Sequence, residues 1–111
     1  MEKKKRPESL KSTTYQVETG SGTLYVIISS MDNKPFEMFC SIGKSGFSTM
    51  ANAEAIGRLV SLCLQNEIST TKIIKQLEGI GGSEPSYYDG VVIQSIPDGI
   101  AQILKKHINK K

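Results

Sequence analysis

Histidine occurs once in this 111-residue chain and cysteine twice, and no apolar run is long enough to cross a bilayer. A lone His107, with no HxxH, no CxxC and no cluster of carboxylates beside it, excludes the usual ligand sets of hydrolytic metal centres. Cys40 falls in a strand pattern and Cys63 on the apolar face of a helix pattern, so both read as reduced core thiols rather than a redox pair. His107 falls in the last turn of a C-terminal helix, where a cation suits the dipole, and reads as a surface residue. No serine or cysteine has a base partner nearby in sequence, so nucleophilic catalysis has no local support. The basic N-terminus is not followed by an apolar stretch, so a secretory signal is not expected. The expected location is the cytoplasm of the cell that makes or hosts the chain.

The net charge of +3 is unevenly distributed. Five basic residues against Glu2 and Glu8 give residues 1–11 a charge of +3, and four lysines give residues 105–111 +4, which leaves −4 for residues 12–104. A nucleic-acid binder normally carries its basic groups on a folded face. Here they lie at the two ends, as solvated tails do, which argues against nucleic acid as a partner. The organisation expected is a flexible basic segment over 1–11, one domain over 12–108 and a short basic tail over 109–111.

What is present is a run of well-marked elements. Thr13 to Thr19 reads as a strand, and Gly20-Ser21-Gly22 makes a tight turn. Leu24 to Ser30 is rich in β-branched residues, and Phe36 to Ile42 returns after the turn residues Asp32 to Pro35. A long helix is predicted from about Ser48 to Asn66, with Ala53, Ile56, Val60, Cys63 and Leu64 at helical spacing. Ser69 opens a shorter helix that Gly79 is placed to end. Residues 79–90 concentrate Gly79, Gly81, Gly82, Pro85 and Gly90 and read as a loop carrying Tyr87 and Tyr88. Val91 to Ile93 follows as a short strand. Ser95 then caps a last helix, with Pro97 in its first turn and Asp98 completing a capping box. The expected fold is α+β: an antiparallel sheet of three to four strands with about three helices on one face.

Gly43-Lys44-Ser45-Gly46-Phe47-Ser48-Thr49 joins a strand to a helix N-terminus. The first amides of a helix lack internal partners and lie at the positive end of its dipole, a setting that suits phosphate. Gly43 and Gly46 allow close backbone approach, Lys44 adds a full charge, and Ser45, Ser48 and Thr49 add hydroxyls. Arg58 is a supporting cation if folding or a second subunit brings it near. Tyr87 and Tyr88 are candidates to stack on a base. A Walker A loop needs a glycine five residues before the Gly-Lys pair, and Met38 stands there. The alternative reading of the loop is a capped strand-to-helix turn.

Several segments in order resemble a known family: Arg6-Pro7-Glu8-Ser9-Leu10, Gly22-Thr23-Leu24-Tyr25-Val26, Pro35-Phe36-Glu37-Met38-Phe39, Ile42-Gly43-Lys44-Ser45-Gly46, Ala53-Glu54-Ala55-Ile56-Gly57-Arg58-Leu59 and Ser95-Ile96-Pro97-Asp98. Together they are similar to the TSCPD domain, which occurs near the C-terminus of adenosylcobalamin-dependent ribonucleotide reductases and as short separate proteins. The resemblance implies a link to nucleotide metabolism without bringing the reductase's radical or cobalamin sites. The namesake cysteine position is Ile96 in this chain. Keeping the loop and helix while losing that thiol favours binding over redox chemistry.

The expectation is therefore a chain that is no enzyme on its own, needs no cofactor, and binds a nucleotide or other phosphorylated small molecule. A phage protein intercepting a host signalling nucleotide would be one example. The alternative is an accessory piece of ribonucleotide reductase, with its large subunit as partner. No membrane partner is expected. Open sheet edges lead to the expectation of a homo-oligomer.

Overall fold

The computed structural model describes residues 5–43, 46–82 and 84–109. Strands β1 (Lys11–Thr19), β2 (Gly22–Met31) and β3 (Lys34–Gly43) form an antiparallel sheet in the order β1-β2-β3. Helices α1 (Phe47–Gln65) and α2 (Thr70–Leu77) follow, then β4 (Ser86–Tyr88), β5 (Val91–Ile93) and α3 (Ile96–Ile108). The α+β class holds, with one refinement: β4 and β5 form their own two-stranded sheet.

Turn chemistry sets the meander. Asp32 and Asn33 both take positive φ, 55° and 62°, as the two central residues of a mirror-image hairpin turn require. The register sets Tyr15, Val26 and Cys40 side by side, and Val17, Leu24 and Ile42 one pleat further on. All six are buried, so one face of the sheet carries the core. Ile100, Ala101, Ile103 and Leu104 of α3 complete it, together with Ala53, Val60 and Leu64 of α1.

Helix α1 also closes a sheet edge. The Ser61 hydroxyl accepts from the Met38 amide at 2.7 Å and donates to the Met38 carbonyl at 2.8 Å. Those groups have no strand beyond them, so one serine satisfies the edge of β3 at Met38, in its middle. Contact this close needs Gly57, where an added Cβ would lie 3.2 Å from the Cys40 amide nitrogen. The edge argument for self-association is therefore weakened at the middle of β3, where α1 lies against it. On β1, the Ser86 hydroxyl donates to the Glu18 carbonyl at 2.8 Å, which tethers β4 beside that strand.

Three readings need correction. Tyr87 and Tyr88 lie in strand β4, not in a loop; Asp89 and Gly90, at φ 49° and 77°, make the hairpin turn to β5. His107 is half-buried rather than a plain surface residue, with Nδ1 2.8 Å from the Tyr15 hydroxyl and the two rings edge to face. Strand β1 starts at Lys11, within the stretch read as a tail, and Arg6 reaches Glu37 at 2.9 and 3.1 Å on the face of the sheet away from α3. That pair holds the guanidinium's pKa above its ordinary value, chiefly through the Glu37 hydrogen bond.

Candidate functional site

The chain leaves β3 at Gly43, which is half-buried, and re-enters described structure at Gly46. Lys44 and Ser45 lie outside the described residues. Gly46 is the N-cap of α1, extended at φ −68° and ψ 161°, with no atom within 4 Å of where a Cβ would stand. Among the described residues no side chain caps the helix, so Ser48 does not take the capping role open to it. The first intrahelical bond runs from the Met50 amide to the Gly46 carbonyl at 3.1 Å. The amides of Phe47, Ser48 and Thr49 precede it and lack intrahelical partners.

Beside this helix start lies a groove of about 460 Å³. Thr49 and Asn52 of α1 form one wall, the Thr19–Ser21 turn and Glu84 a second, and Gln94 and Ser95 at the start of α3 a third. Its hydrogen-bonding groups are hydroxyls and amides, and Glu84 is the one charged residue among its described lining. Asn52, Gln94 and Ser95 were not among the residues singled out from sequence. Asn52 follows Thr49 by one helical turn on the same flank, a signal that was available; the α3 wall comes from tertiary packing alone.

The third wall is rigidly built. Ser95 caps α3 by accepting from the Asp98 amide, and its hydroxyl donates to the Ile80 carbonyl at 2.6 Å. Asp98, 2% exposed, accepts from the amides of Gly79 at 2.8 Å and Gln94 at 2.9 Å, and from the Gln102 side chain at 3.2 Å. This carboxylate ties the end of α2, the end of β5 and the first turn of α3 together. It is fully engaged in structure.

The other singled-out residues lie elsewhere. Arg58 is largely exposed, pairs with Glu54 at 2.7 Å, and lines a separate groove with Glu37, Phe39 and Ser61. Tyr87 is 74% exposed. Tyr88 packs against the core, and its hydroxyl accepts from Lys106 at 3.0 Å, with the ammonium 4.8 Å from the ring centroid. Lys106 also bridges to Asp89 at 2.7 Å, and these partners raise its pKa. Tyr88 thus belongs with the C-terminal half of α3, while the groove lies at that helix's N-terminus.

Cys40 is buried, and desolvation pushes its thiol up to about 12, which keeps it protonated and inert at neutral pH. Among the described residues no group of three or more His, Cys, Asp or Glu could hold a metal ion, and no helix is long and apolar enough to cross a membrane.

The family model for the TSCPD domain matches residues 1–108, and the chain belongs to that family. Neither the curated proteins nor the solved structures include a significant match.

Proposed function

We propose that this TSCPD-domain chain is a non-catalytic binding protein for a nucleotide or similar phosphorylated small molecule. The observation that carries this reading is a groove beside the N-terminus of α1, where no described side chain caps the helix. In it the hydroxyls and amides of Thr49, Asn52, Gln94 and Ser95 are set among the apolar groups of Ala55, Ile56, Leu59 and Ile96. Phosphate sits at the amides of Phe47 to Thr49, where the helix dipole and free N–H groups favour an anion. Lys44, next to this helix start in sequence, supplies the compensating charge, and Ser45 and Thr49 add hydroxyl donors. The groove's neutral amides and its single carboxylate suit the rest of a nucleotide better than a second phosphate cluster. Glu84 accepts from ribose hydroxyls, and Asn52 and Gln94 each offer a donor and an acceptor to a base edge. No set of described residues in the groove supplies a nucleophile with its base, so sensing, delivery or sequestration fits better than turnover.

Calorimetry of the full chain against linear and cyclic nucleotides tests this. Binding tighter than millimolar, weakened about tenfold by Lys44→Ala, is the expected result, since a hydrogen bond to a charged group is worth about 1.5–3 kcal/mol. Absence of binding, or binding indifferent to Lys44→Ala and Thr49→Val, overturns it.

Family membership over residues 1–108 favours a second reading: an accessory module that acts on ribonucleotide reductase by protein contact. Co-purification with a reductase large subunit, in the absence of nucleotide binding by the isolated chain, would select that reading.

A further inference from the structure

Helix α1 has two apolar faces, and only one of them is used within the domain. Ala53, Gly57, Val60 and Leu64 point inward and are buried. On the opposite side of the helical wheel, Ser48, Ala51, Ala55, Leu59 and Leu62 form an outward stripe. Leu59 is 62% exposed and Leu62 52%. A solvated helix face normally carries many charges, yet these 19 residues hold only Glu54 and Arg58. From Leu59 the apolar surface continues into a groove of about 360 Å³ between α1 and α2, lined by Ile56, Cys63 and Ile73.

The stripe is complementary to itself. Its N-terminal half is small (Ser48, Ala51, Ala55) and its C-terminal half is large (Leu59, Leu62). An antiparallel copy related by a two-fold axis at Ala55 sets Ala51 against Leu59 of the second copy and Ser48 near its Leu62. Small residues then receive large ones along the whole seam. A parallel arrangement would oppose leucine to leucine and alanine to alanine and lose that match.

The charges agree with the same axis. Glu54 and Arg58 lie on one flank of the stripe, and a two-fold axis perpendicular to both helices keeps that flank on the same side in each copy. Glu54 of one copy then falls about 3 Å along the axis from the level of Arg58 of the other, at a rise of about 1.5 Å per residue. Across the seam this gives two Glu54–Arg58 approaches against one Glu54–Glu54 approach at the same axial offset. The two Arg58 residues stand about 9 Å apart along the axis, so opposite charges outnumber like ones.

We infer that α1 is the interface of a two-fold homodimer, packed antiparallel on a second copy through Ala51, Ala55, Leu59 and Leu62 and flanked by reciprocal Glu54–Arg58 pairs. Ala55 and Leu59 also line the 460 Å³ groove, so the second copy covers the α1 side of that groove. The dimer does not depend on what the groove binds.

Sedimentation equilibrium of the full chain tests this, with circular dichroism to verify folding. The unmodified chain sediments as a dimer, and Leu62→Glu, with an unchanged circular dichroism spectrum, sediments as a monomer and melts at a temperature that no longer depends on protein concentration. Glu54→Arg and Arg58→Glu each weaken the dimer about tenfold by placing like charges together. Mixing these two variants restores association, because one copy then brings two arginines and the other two glutamates. Restoration on mixing cannot come from the Glu54–Arg58 pair within one helix. A monomeric unmodified chain, a dimer indifferent to Leu62→Glu, or a mixture no better associated than its components would each overturn the inference.

Discussion

Helices α1 and α3 share one core but are built on different terms. In α3, seven of thirteen residues are buried, Ser95 caps the start, Asp98 stands in the first turn, and Lys105, Lys106 and His107 stand in the last. Cap, dipole and apolar face all agree there. In α1, four of nineteen residues are buried, no described side chain caps the start, no acid stands in the first turn and no base in the last. Its outer face is apolar where solvent would favour charge. A helix that departs from local stabilising rules at its N-terminus and along its outer face is the one with groups to spare for a ligand and a partner. The groove lies between the two helices, with α3 as its fixed wall and α1 as the wall that carries the free helix start.

The contrast can be broken at several points. Asp98→Ala removes the buried carboxylate that accepts from the Gly79 and Gln94 amides and should cost about 3 kcal/mol in urea unfolding. If that loss were as small as a surface change, α3 would not be the structural helix described. Beneath Gly57 of α1, Cys40 gives a pH signature. Its thiol ionises near 9 in an unfolded chain and only near about 12 in the fold, so the unfolded state loses its proton first. This contribution is constant below pH 9, and stability falls as the pH rises from 9 towards 12. Cys40→Ala should remove that component of the slope in pH-dependent unfolding.

Smaller effects separate the two helix starts. Ser95→Ala removes a cap and the bond to the Ile80 carbonyl, and should lower stability by about 1–2 kcal/mol. Ser48→Ala at the matching end of α1 touches no cap and should change unfolding by less than about 0.5 kcal/mol. Equal losses at the two positions, measured by the same denaturation, would show that α1 is capped after all.

Much of the fold was legible because its elements are long and strictly periodic. The alternation through Tyr15, Val17, Leu24, Val26, Met38 and Cys40 marks three strands, and the spacing of Ala53, Val60 and Leu64 marks α1. Strand β5 was read from Val91 to Ile93, but its partner β4 was missed because Ser86 to Tyr88 shows no alternation and dense glycine nearby suggests a loop. Its one strong signal, Asp89-Gly90 between Tyr87-Tyr88 and Val91-Val92, outweighs that composition. Ser61 on the Met38 backbone spans 23 residues and the Tyr15–His107 bond spans 92, and no local pattern encodes either. The candidate site divides the same way. Thr49 and the helix start follow from the glycine-flanked loop, whereas Gln94 and Ser95 reach the groove only through the packing of α3.

The most direct test follows backbone amides of the full chain by ¹H–¹⁵N NMR while a nucleotide from the calorimetric panel is added. Shifts at Gly46 to Asn52, with smaller ones at Gln94 and Ser95 and none at Tyr88 or Lys106, are expected if α1 opens the site and α3 supports it. Shifts centred on Tyr87, Tyr88 and Lys106, with the start of α1 unmoved, would contradict the division between the two helices.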